Sequence, residues 1–537
     1  MTRTIVAAFN EIVSGAWERY KNPDRMPLER QPLDKLAEMP TETLPRMVRE
    51  SKVAMEMLAL LGRLKWSEFP EEPEEKRKPG PVPQKRAPYV AAFIIKIERK
   101  LRYMGDLRKF LCENPEVVWL LGFELKASKK YRWGFDVEES LSCRRQFGRV
   151  LRKLHAKQTE FILNGTVEGI KDVLPEEAIP EGERFGDRVT VDTKHIIAWV
   201  RENNEKAFME NAHKKEVQPK GDKDCKLGCK KSTNQKSKGK SKTEEVSQPE
   251  ASASQSEKAK VEKGKLKAAS DGTPKTTPTK EGIPGSQAPK GTYYWGYGTG
   301  VVVTKVKEWG EFVLGEYTQT FDNTDNTYFH PLMEQTETRL GYKPRWGALD
   351  AAFDASYVYD YFHNPEVGGF AAVPFVNRGG HGMREFDDEN RPLCAAKLGM
   401  PLKSTFICKT SMVEHEKGRF GCPLLHPDVT GEACPINHEK FATGGCKTTM
   451  ATSDGARIRY TLDREDPAFK LLYNERTATE RINSQAVEYN IERPKLRNQQ
   501  SITHTNTLIY ALINLKAVQR IEARKLKLAQ EACAPAQ

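Results

Sequence analysis

Residues 184–193 read RFGDRVTVDT, and at this stretch the chain changes from helical to strand-like patterning. β-Branched residues alternate with polar ones up to Asp192, which is typical of a β-strand. Before it, across residues 1–180, apolar residues recur at helical spacing with charged faces between them. The sequence therefore predicts a helical N-terminal region, followed at residues 184–203 by the first strand of a sheet.

Strand-like runs continue after residue 290 and alternate with helical ones. The runs TYYWGYGTGVVVTKV, EFVLGEYTQTF, RWGALD and GFAAVPFV predict strands, and NTYFHPLMEQTETRL and ASYVYDYF predict helices. The order β-β-β-α-β-α-β combines three sequential strands, which can form a meander, with later strands joined through helices. It predicts an α/β fold with a mixed sheet over residues 291–379, completed by helices at residues 466–528.

The net charge is +12 and the isoelectric point about 9.0, which favours a polyanion such as nucleic acid as partner. Much of this charge falls in residues 211–290, which hold 19 Lys against 10 acidic residues and contain no aromatic residue. We predict a disordered Lys-rich insertion at residues 204–290. Two roles for it remain open: binding DNA without sequence preference, or a solubilising spacer.

The chain contains no apolar run near the ~20 residues of a membrane span, and its N-terminus predicts an amphipathic helix. Its ten cysteines come without a secretion signal, so we expect a reducing cytoplasm and no membrane partner. In SCRRQFGRVLRKL, Phe147, Val150, Leu151 and Leu154 form an apolar stripe. The remaining surface carries Arg144, Arg145 and Arg149. This pattern is compatible with a helix-turn-helix reading head for DNA, and also with a solvated basic face.

Three carboxylates stand where a catalytic site is expected. Asp192 and Asp350 each end an apolar strand, and the ends of adjacent parallel strands point into a common crevice. Glu480 lies in YNERTATERINS, where Tyr473, Arg476 and Glu480 share one helix face. Carboxylates from two strands and a helix can hold two divalent cations, which suits in-line phosphoryl transfer. The simpler interpretation of each acid is a turn or cap residue, and Asp354 is the alternative to Asp350.

On the motifs VTVDT, GALDAAFDAS, FAAVPFVNR and YNERTATERINSQ, the chain resembles bacterial insertion-sequence transposases of the DDE type. The similarity extends from about residue 85 to about residue 525. The last motif resembles a Tyr-x2-Arg-x3-Glu-x6-Lys signature, which Tyr473, Arg476 and Glu480 match, whereas Val487 stands at the Lys position. The resemblance implies an RNase H-like core in which Asp192, Asp350 and Glu480 bind metal.

The resemblance also implies that Arg476 contacts a DNA phosphate, supported by Tyr473, and Arg378 is a further predicted DNA contact. It implies two Mg²⁺ or Mn²⁺ ions, and double-stranded DNA, both element ends and target, as the partner of a homodimer. The expected activity is binding of terminal inverted repeats, cleavage and strand transfer, in the cytoplasm or on the nucleoid. Two alternatives are an RNase H-like structure-specific DNA nuclease and a transposase-derived DNA-binding protein that does not cut.

Residues 380–465 interrupt the alternation of strands and helices and predict an inserted Cys/His-rich subdomain, which also fits the family. Cys422, His426, Cys434 and His438 give the spacing C-x3-H-x7-C-x3-H. Four such ligands can close a tetrahedral structural zinc site. Other cysteines flank the set as substitutes: Cys394, Cys408 and Cys446. The alternative is buried free thiols and surface histidines.

Overall fold

The structure is a computed structural model that describes residues 22–71, 84–204, 212–231, 291–377, 383–409 and 413–533. The predicted N-terminal amphipathic helix and Arg378 lie outside these residues. Contacts divide the chain into two compact units. One comprises Met1–Gly228 and Tyr294–Gln537, and contains all the site residues discussed below. The other, Cys229–Tyr293, is described only at its ends.

The N-terminal region is helical, as the apolar spacing predicts. Its helices are α1 (Leu33–Glu38), α2 (Arg46–Glu50), α3 (Lys52–Leu61), α4 (Ala87–Glu98), α5 (Met104–Glu113), α6 (Pro115–Leu121), α7 (Val137–Ser140), α8 (Arg144–Lys153) and α9 (Ala156–Val173). Two short strands, β1 (Lys126–Ala127) and β2 (Phe135–Asp136), pair between α6 and α7. The stripe Phe147, Val150, Leu151 and Leu154 is buried, while the arginines of α8 face outward. The amphipathic interpretation of α8 is therefore confirmed.

A six-stranded mixed sheet follows, and it confirms the α/β prediction. Its strands are β3 (Arg188–Ile197), β4 (Lys226–Lys231), β5 (Gly291–Val306), β6 (Gly310–Thr320), β7 (Trp346–Leu349) and β8 (Phe370–Ala372). Strand β5 pairs antiparallel with both β3 and β6, which makes the predicted meander. Strands β7 and β8 lie parallel to β3, connected through α10 (Phe329–Leu340) and α11 (Ser356–Phe362). The strand order is β4-β5-β3-β7-β8, with β6 also on β5.

The segment predicted as a disordered insertion contains ordered structure at residues 212–231, which corrects that prediction in part. Strand β4 lies here, and Cys225 and Asp222 are buried. Asp222 accepts hydrogen bonds from the Tyr297 hydroxyl, at 2.8 Å, and from the Asn498 backbone amide, at 3.1 Å. A few such anchors suffice to order a Lys-rich segment, although composition alone does not reveal them. Residues 205–211 and 232–290 lie outside the described part of the chain.

The segment predicted as an inserted subdomain contains a three-stranded antiparallel sheet of β9 (Leu402–Cys408), β10 (His415–Gly421) and β11 (Lys447–Ala451). Its small apolar core consists of Met400, Phe420 and Met450. The predicted boundary at residue 465 is too late. Helix α12 (Asp454–Thr461) packs on α11, and its Ile458 joins the apolar cluster beneath the large sheet. The chain thus re-enters the core before α12.

Three further helices close the unit: α13 (Pro467–Asn474), α14 (Thr477–Glu488) and α15 (Gln499–Cys533). The predicted apolar side of α15 is buried against the sheet and the N-terminal helices, since Leu508, Leu512, Leu515 and Val518 are each at most 3% exposed. Among the described residues, none of the helices combines the length and apolar character that a membrane crossing requires.

Candidate active site

The two aspartates predicted at strand ends lie side by side, but the end predicted at Asp192 is wrong, because pairing with β5 continues β3 to Ile197. Strands β3 and β7 pair in parallel, and Val191 is the register partner of Leu349. Asp192 follows Val191 within β3, and Asp350 directly follows the last residue of β7, so the parallel pairing places both aspartates where β7 ends. Asp350 ends its strand by accepting a hydrogen bond from the Ala352 amide at 2.9 Å, which begins a 3-10 turn. The two aspartates therefore lie next to each other, as the sequence predicts.

Glu480 belongs to helix α14, which packs on β3. It stands in the first turn of the helix, where the helix dipole favours an anion. Arg476, one turn earlier, donates to Glu480 with Nη2 2.6 Å from Oε1. The guanidinium is 26% exposed and the carboxylate 52% exposed. The ion pair between Arg476 and Glu480 of the sequence motif is therefore formed, and it lies at the border between the site and solvent.

The electrostatics of Asp192 join the four residues into one site. The pKa of Asp192 is raised to about 6, mainly by burial and also by the carboxylates of Asp350 and Glu480. Arg476 opposes this shift, as does the hydrogen bond from the Thr193 backbone amide. Burial likewise raises the pKa of Asp350. Asp350, Glu480 and Arg476 therefore all act on the Asp192 carboxyl, and the two neighbouring carboxylates disfavour its ionised form.

Asn483 is a site residue that sequence reasoning did not identify. It is 7% exposed, and its Nδ2 donates to Asp192 Oδ2 at 3.2 Å. Its Oδ1 accepts from the buried hydroxyl of Tyr510 at 3.3 Å, so α15 holds the amide in place. Asn483 is three residues after Glu480 and hence on the same helix face. That spacing was the available signal, but an Asn in a helix carries no signature of its own.

A fourth carboxylate, Asp325, borders the site. The Thr193 hydroxyl donates to Asp325 Oδ1 at 2.9 Å, which links the loop before α10 to the residue that follows Asp192. Asp325 also contributes to the raised pKa of Asp350. The residue lies in a polar turn, NTDNTY, where an Asp has an ordinary capping role. Only the tertiary structure therefore places it beside the aspartates.

Asp354, the sequence alternative to Asp350, has a different environment. Its carboxylate is fully buried and forms a bidentate ion pair with Arg459, at 2.8 and 2.6 Å. It also accepts from the Tyr359 hydroxyl at 3.0 Å and the Val376 amide at 2.8 Å. These four bonds occupy both oxygens. Asp354 therefore joins α11, α12 and the segment after β8, and Asp350 remains the candidate site residue.

The predicted DNA contacts lie on exposed or half-exposed positions. Tyr473 stacks on Phe469 with ring centroids 5.8 Å apart, and the Arg476 guanidinium lies 5.9 Å from the Tyr473 ring. The Tyr473 ring thus lies beside the Arg476 guanidinium, and its role in DNA contact stays a prediction. Val487, at the position of the motif lysine, is 40% exposed. The arginines of α8 lie on another helix with their side chains exposed.

The four predicted zinc ligands have other neighbours. The His426 ring lies against Lys403, with Nε2 2.9 Å from Nζ, and His438 accepts from the Lys440 amide. Cys422 is buried beside Cys446. Burial and the thiols of Cys422 and Cys394 together raise the pKa of Cys446 to about 12. The thiols that influence one another are therefore those of Cys394, Cys422 and Cys446. Of these, Cys394 and Cys446 lie outside the predicted C-x3-H-x7-C-x3-H ligand set.

Among the described residues, no group of three or more His, Cys, Asp or Glu side chains is arranged to hold a metal ion. Glu480 is instead paired with Arg476, with Nη2 2.6 Å from Oε1. The zinc site stays a prediction.

No protein-family model matches the chain, and no curated protein is significantly similar to it. The assignment of a function to this protein therefore rests on the geometry of the site.

Proposed function

We propose that the protein is a metal-dependent DNA transposase of the DDE type with an RNase H-like core. The observation that carries the proposal is that Asp192 and Asp350 lie next to each other on two paired parallel strands and that Glu480, from a helix packed on β3, acts on the Asp192 carboxyl. The same elements, in the same order along the chain, are what the sequence resemblance implies. The meander and the two parallel strands beyond it support the RNase H-like assignment of the mixed sheet.

The donor set fits hard divalent cations such as Mg²⁺ or Mn²⁺, which prefer carboxylate oxygens. Burial and mutual repulsion raise the pKa of Asp192 to about 6, and a cation among these carboxylates would relieve that repulsion. Bound there, two such ions would activate the attacking water or 3′-hydroxyl and stabilise the leaving oxygen. Asp192, Asp350 and Glu480 would hold them.

The protein side chains supply the rest of the electrostatics. If Glu480 held a cation, the Arg476 guanidinium would be free of its ion pair and could bind two phosphate oxygens bidentately. Tyr473 holds the guanidinium near the site through its ring face. Asn483 fixes the orientation of Asp192 from the buried side. The reacting phosphodiester is the substrate that this combination of acids and arginine accommodates.

The test uses a supercoiled plasmid that carries the coding sequence with its native flanking DNA. With Mg²⁺, the proposed transposase nicks the element ends and joins them to target DNA. Alanine at Asp192, Asp350 or Glu480 abolishes both reactions and leaves DNA binding intact. Nicking without joining would favour the structure-specific nuclease, and binding without nicking would favour the non-catalytic DNA-binding protein. Activity that survives Glu480→Ala would contradict the assigned triad.

Asn483→Leu is expected to lower the rate of cleavage by about 10- to 100-fold, as loss of an outer-shell partner does in metal sites. Leucine keeps the volume but removes the donor that orients Asp192. DNA affinity measured in EDTA should be unchanged. Ser484→Ala, at the next and exposed position, is the matched control. An Asn483→Leu enzyme as active as this control would show that Asp192 needs no orienting partner.

Divalent-cation affinity is expected to fall as the pH decreases through about 6. A proton competes with the cation for Asp192, whose pKa is raised to about 6. One unit below that pKa, about a tenth of the carboxylate is ionised, so affinity at pH 5 should be roughly tenfold lower than at neutral pH. Titration with Mn²⁺, followed by calorimetry, measures this. A flat profile between pH 5 and 7 would show that Asp192 does not bind the metal.

A further inference from the structure

A basic cleft lies between the N-terminal helical region and the C-terminal end of α14. Its walls are the end of α4 with the turn after it, the loop 489–496 and the start of α15. Five cations line it: Lys96, Lys100, Arg102, Arg493 and Lys495. Its described lining contains no Asp or Glu. We call these residues the basic cleft.

The nearby carboxylates already have cationic partners. Glu488 pairs with Lys100 at 3.5 Å in an exposed ion pair, Glu492 with Lys194 at 2.8 Å, and Glu98 with Lys516 at 2.8 Å. Within the described part of the chain, Arg102, Arg493 and Lys495 take part in no ion pair with a carboxylate. The basic cleft therefore has an excess of positive charge that the protein does not neutralise.

Two features hold these cations in place. Lys495 and the neighbouring Arg497 lie over the Trp199 ring, at 5.4 and 4.8 Å from its centroid, and Tyr103 lies beside that ring at 6.3 Å. Such cation–π contacts reduce the entropy that a cation loses when it binds an anion. At the inner end, burial lowers the pKa of Lys96 to about 8, which Asp106 only partly offsets. A partly desolvated amine gains strongly from an anionic ligand.

The position of the basic cleft relative to the candidate site defines what it can bind. Helix α14 carries Glu480 in its first turn and ends at Glu488, directly before Tyr489 in the cleft wall. At ~1.5 Å per residue, the cleft lies about 14 Å from Glu480 along the helix axis. That length corresponds to about four nucleotides of duplex DNA at ~3.4 Å each. A strand cut at the carboxylates can thus extend into the cleft.

We propose that the basic cleft binds the phosphate backbone of the DNA duplex that flanks the cut bond, about four nucleotides from it. Arg102, Arg493 and Lys495 contact phosphates, and Trp199 is a positioning residue that holds Lys495 and Arg497. The choice of DNA as the anion rests on the proposed function. Backbone contacts of this type add affinity and register, without reading sequence.

The test replaces Arg102, Arg493 and Lys495 together by alanine and measures affinity for a short fluorescein-labelled duplex over a range of KCl concentrations, in EDTA. Each phosphate contact contributes ~0.9 to the slope of log affinity against log salt, so the slope should decrease in magnitude by about 2 to 3. The matched control removes three exposed lysines elsewhere, Lys65, Lys397 and Lys527, and should change the slope by less than about 1.

A second variant, Arg102→Lys with Arg493→Lys and Lys495→Arg, keeps the charges and should keep most of the slope, which separates charge loss from misfolding. Equal slopes for the alanine variant and its lysine control would overturn the proposal. So would a cleft-dependent slope for an RNA duplex but not for DNA. Because no divalent cation is present, the result is independent of catalysis. A cleft-dependent slope in a protein that never nicks DNA would uphold the cleft and refute the proposed activity.

Discussion

Asp192→Asn should abolish cleavage, lowering the rate of metal-dependent nicking by about 10³-fold or more, because an amide cannot supply the charge that holds the cations and offsets the phosphate. Asparagine keeps the shape of the side chain and can still contact Asn483. DNA affinity in EDTA should therefore be equal or slightly higher, since one negative charge near the DNA is removed. Plasmid nicking and fluorescence anisotropy measure the two quantities.

The same substitution has a readout that does not need activity. A raised folded-state pKa means that Asp192 contributes stability below the unfolded value of 3.8, and this contribution is lost as the pH rises through about 6. At neutral pH, the metal-free Asp192→Asn protein should thus be at least as stable as the wild type. Mn²⁺ should raise the melting temperature of the wild type alone. Asp388→Asn, at an exposed position, should behave as wild type; a Mn²⁺-stabilised Asp192→Asn protein would contradict the assignment.

Asp354→Ala should produce the largest loss of stability, about 3–5 kcal/mol in the free energy of unfolding, because it leaves a buried guanidinium without its partner. Arg459 is 13% exposed and donates to both Asp354 oxygens, so no solvent replaces the carboxylate. The Tyr359 hydroxyl and the Val376 amide lose an acceptor at the same time. Urea denaturation of the two proteins measures the difference.

A double-mutant cycle identifies the cause. Arg459→Met removes the buried charge, so the double variant should be less destabilised than the sum of the two single variants. Asp388→Ala should change stability by less than about 0.5 kcal/mol, as expected for an exposed residue. The assigned roles of the two aspartates would be contradicted if the Asp354→Ala protein were as stable as this control. They would also be contradicted if the Asp350→Ala enzyme were active.

The regular patterns of the chain could be predicted from sequence because each is local. The alternation in residues 184–193, the apolar stripe of α8 and the apolar face of α15 depend on burial of one side of an element, and periodicity reports this directly. The end of β7 before Asp350 follows from the same patterns, whereas the strand end predicted at Asp192 does not hold, because pairing with β5 extends β3 to Ile197. The mixed sheet follows from the spacing of strands and helices.

Features that depend on contacts between distant segments needed the tertiary structure. Residues 212–231 have the composition of a disordered linker, yet Asp222 is held by Tyr297 and Asn498. The return to the core at α12 depends on its packing against α11, which no local pattern shows. In the Cys/His region, spacing favoured Cys434 and the two histidines, whereas the pairing of β10 with β11 brings Cys446 to Cys422.

The sequence by itself determined the elements and singled out three acids on or next to them, because periodicity and chain breaks are encoded residue by residue. The tertiary structure decided how these acids differ. Asp350 stands beside Asp192 because β7 pairs with β3 in parallel. Asp354, four residues later, is instead held in an ion pair with Arg459 from α12. Asn483 and Asp325 joined the site in the same way. Side chains more than a hundred residues apart acquire a common environment only when packing sets their distance and their exposure to water.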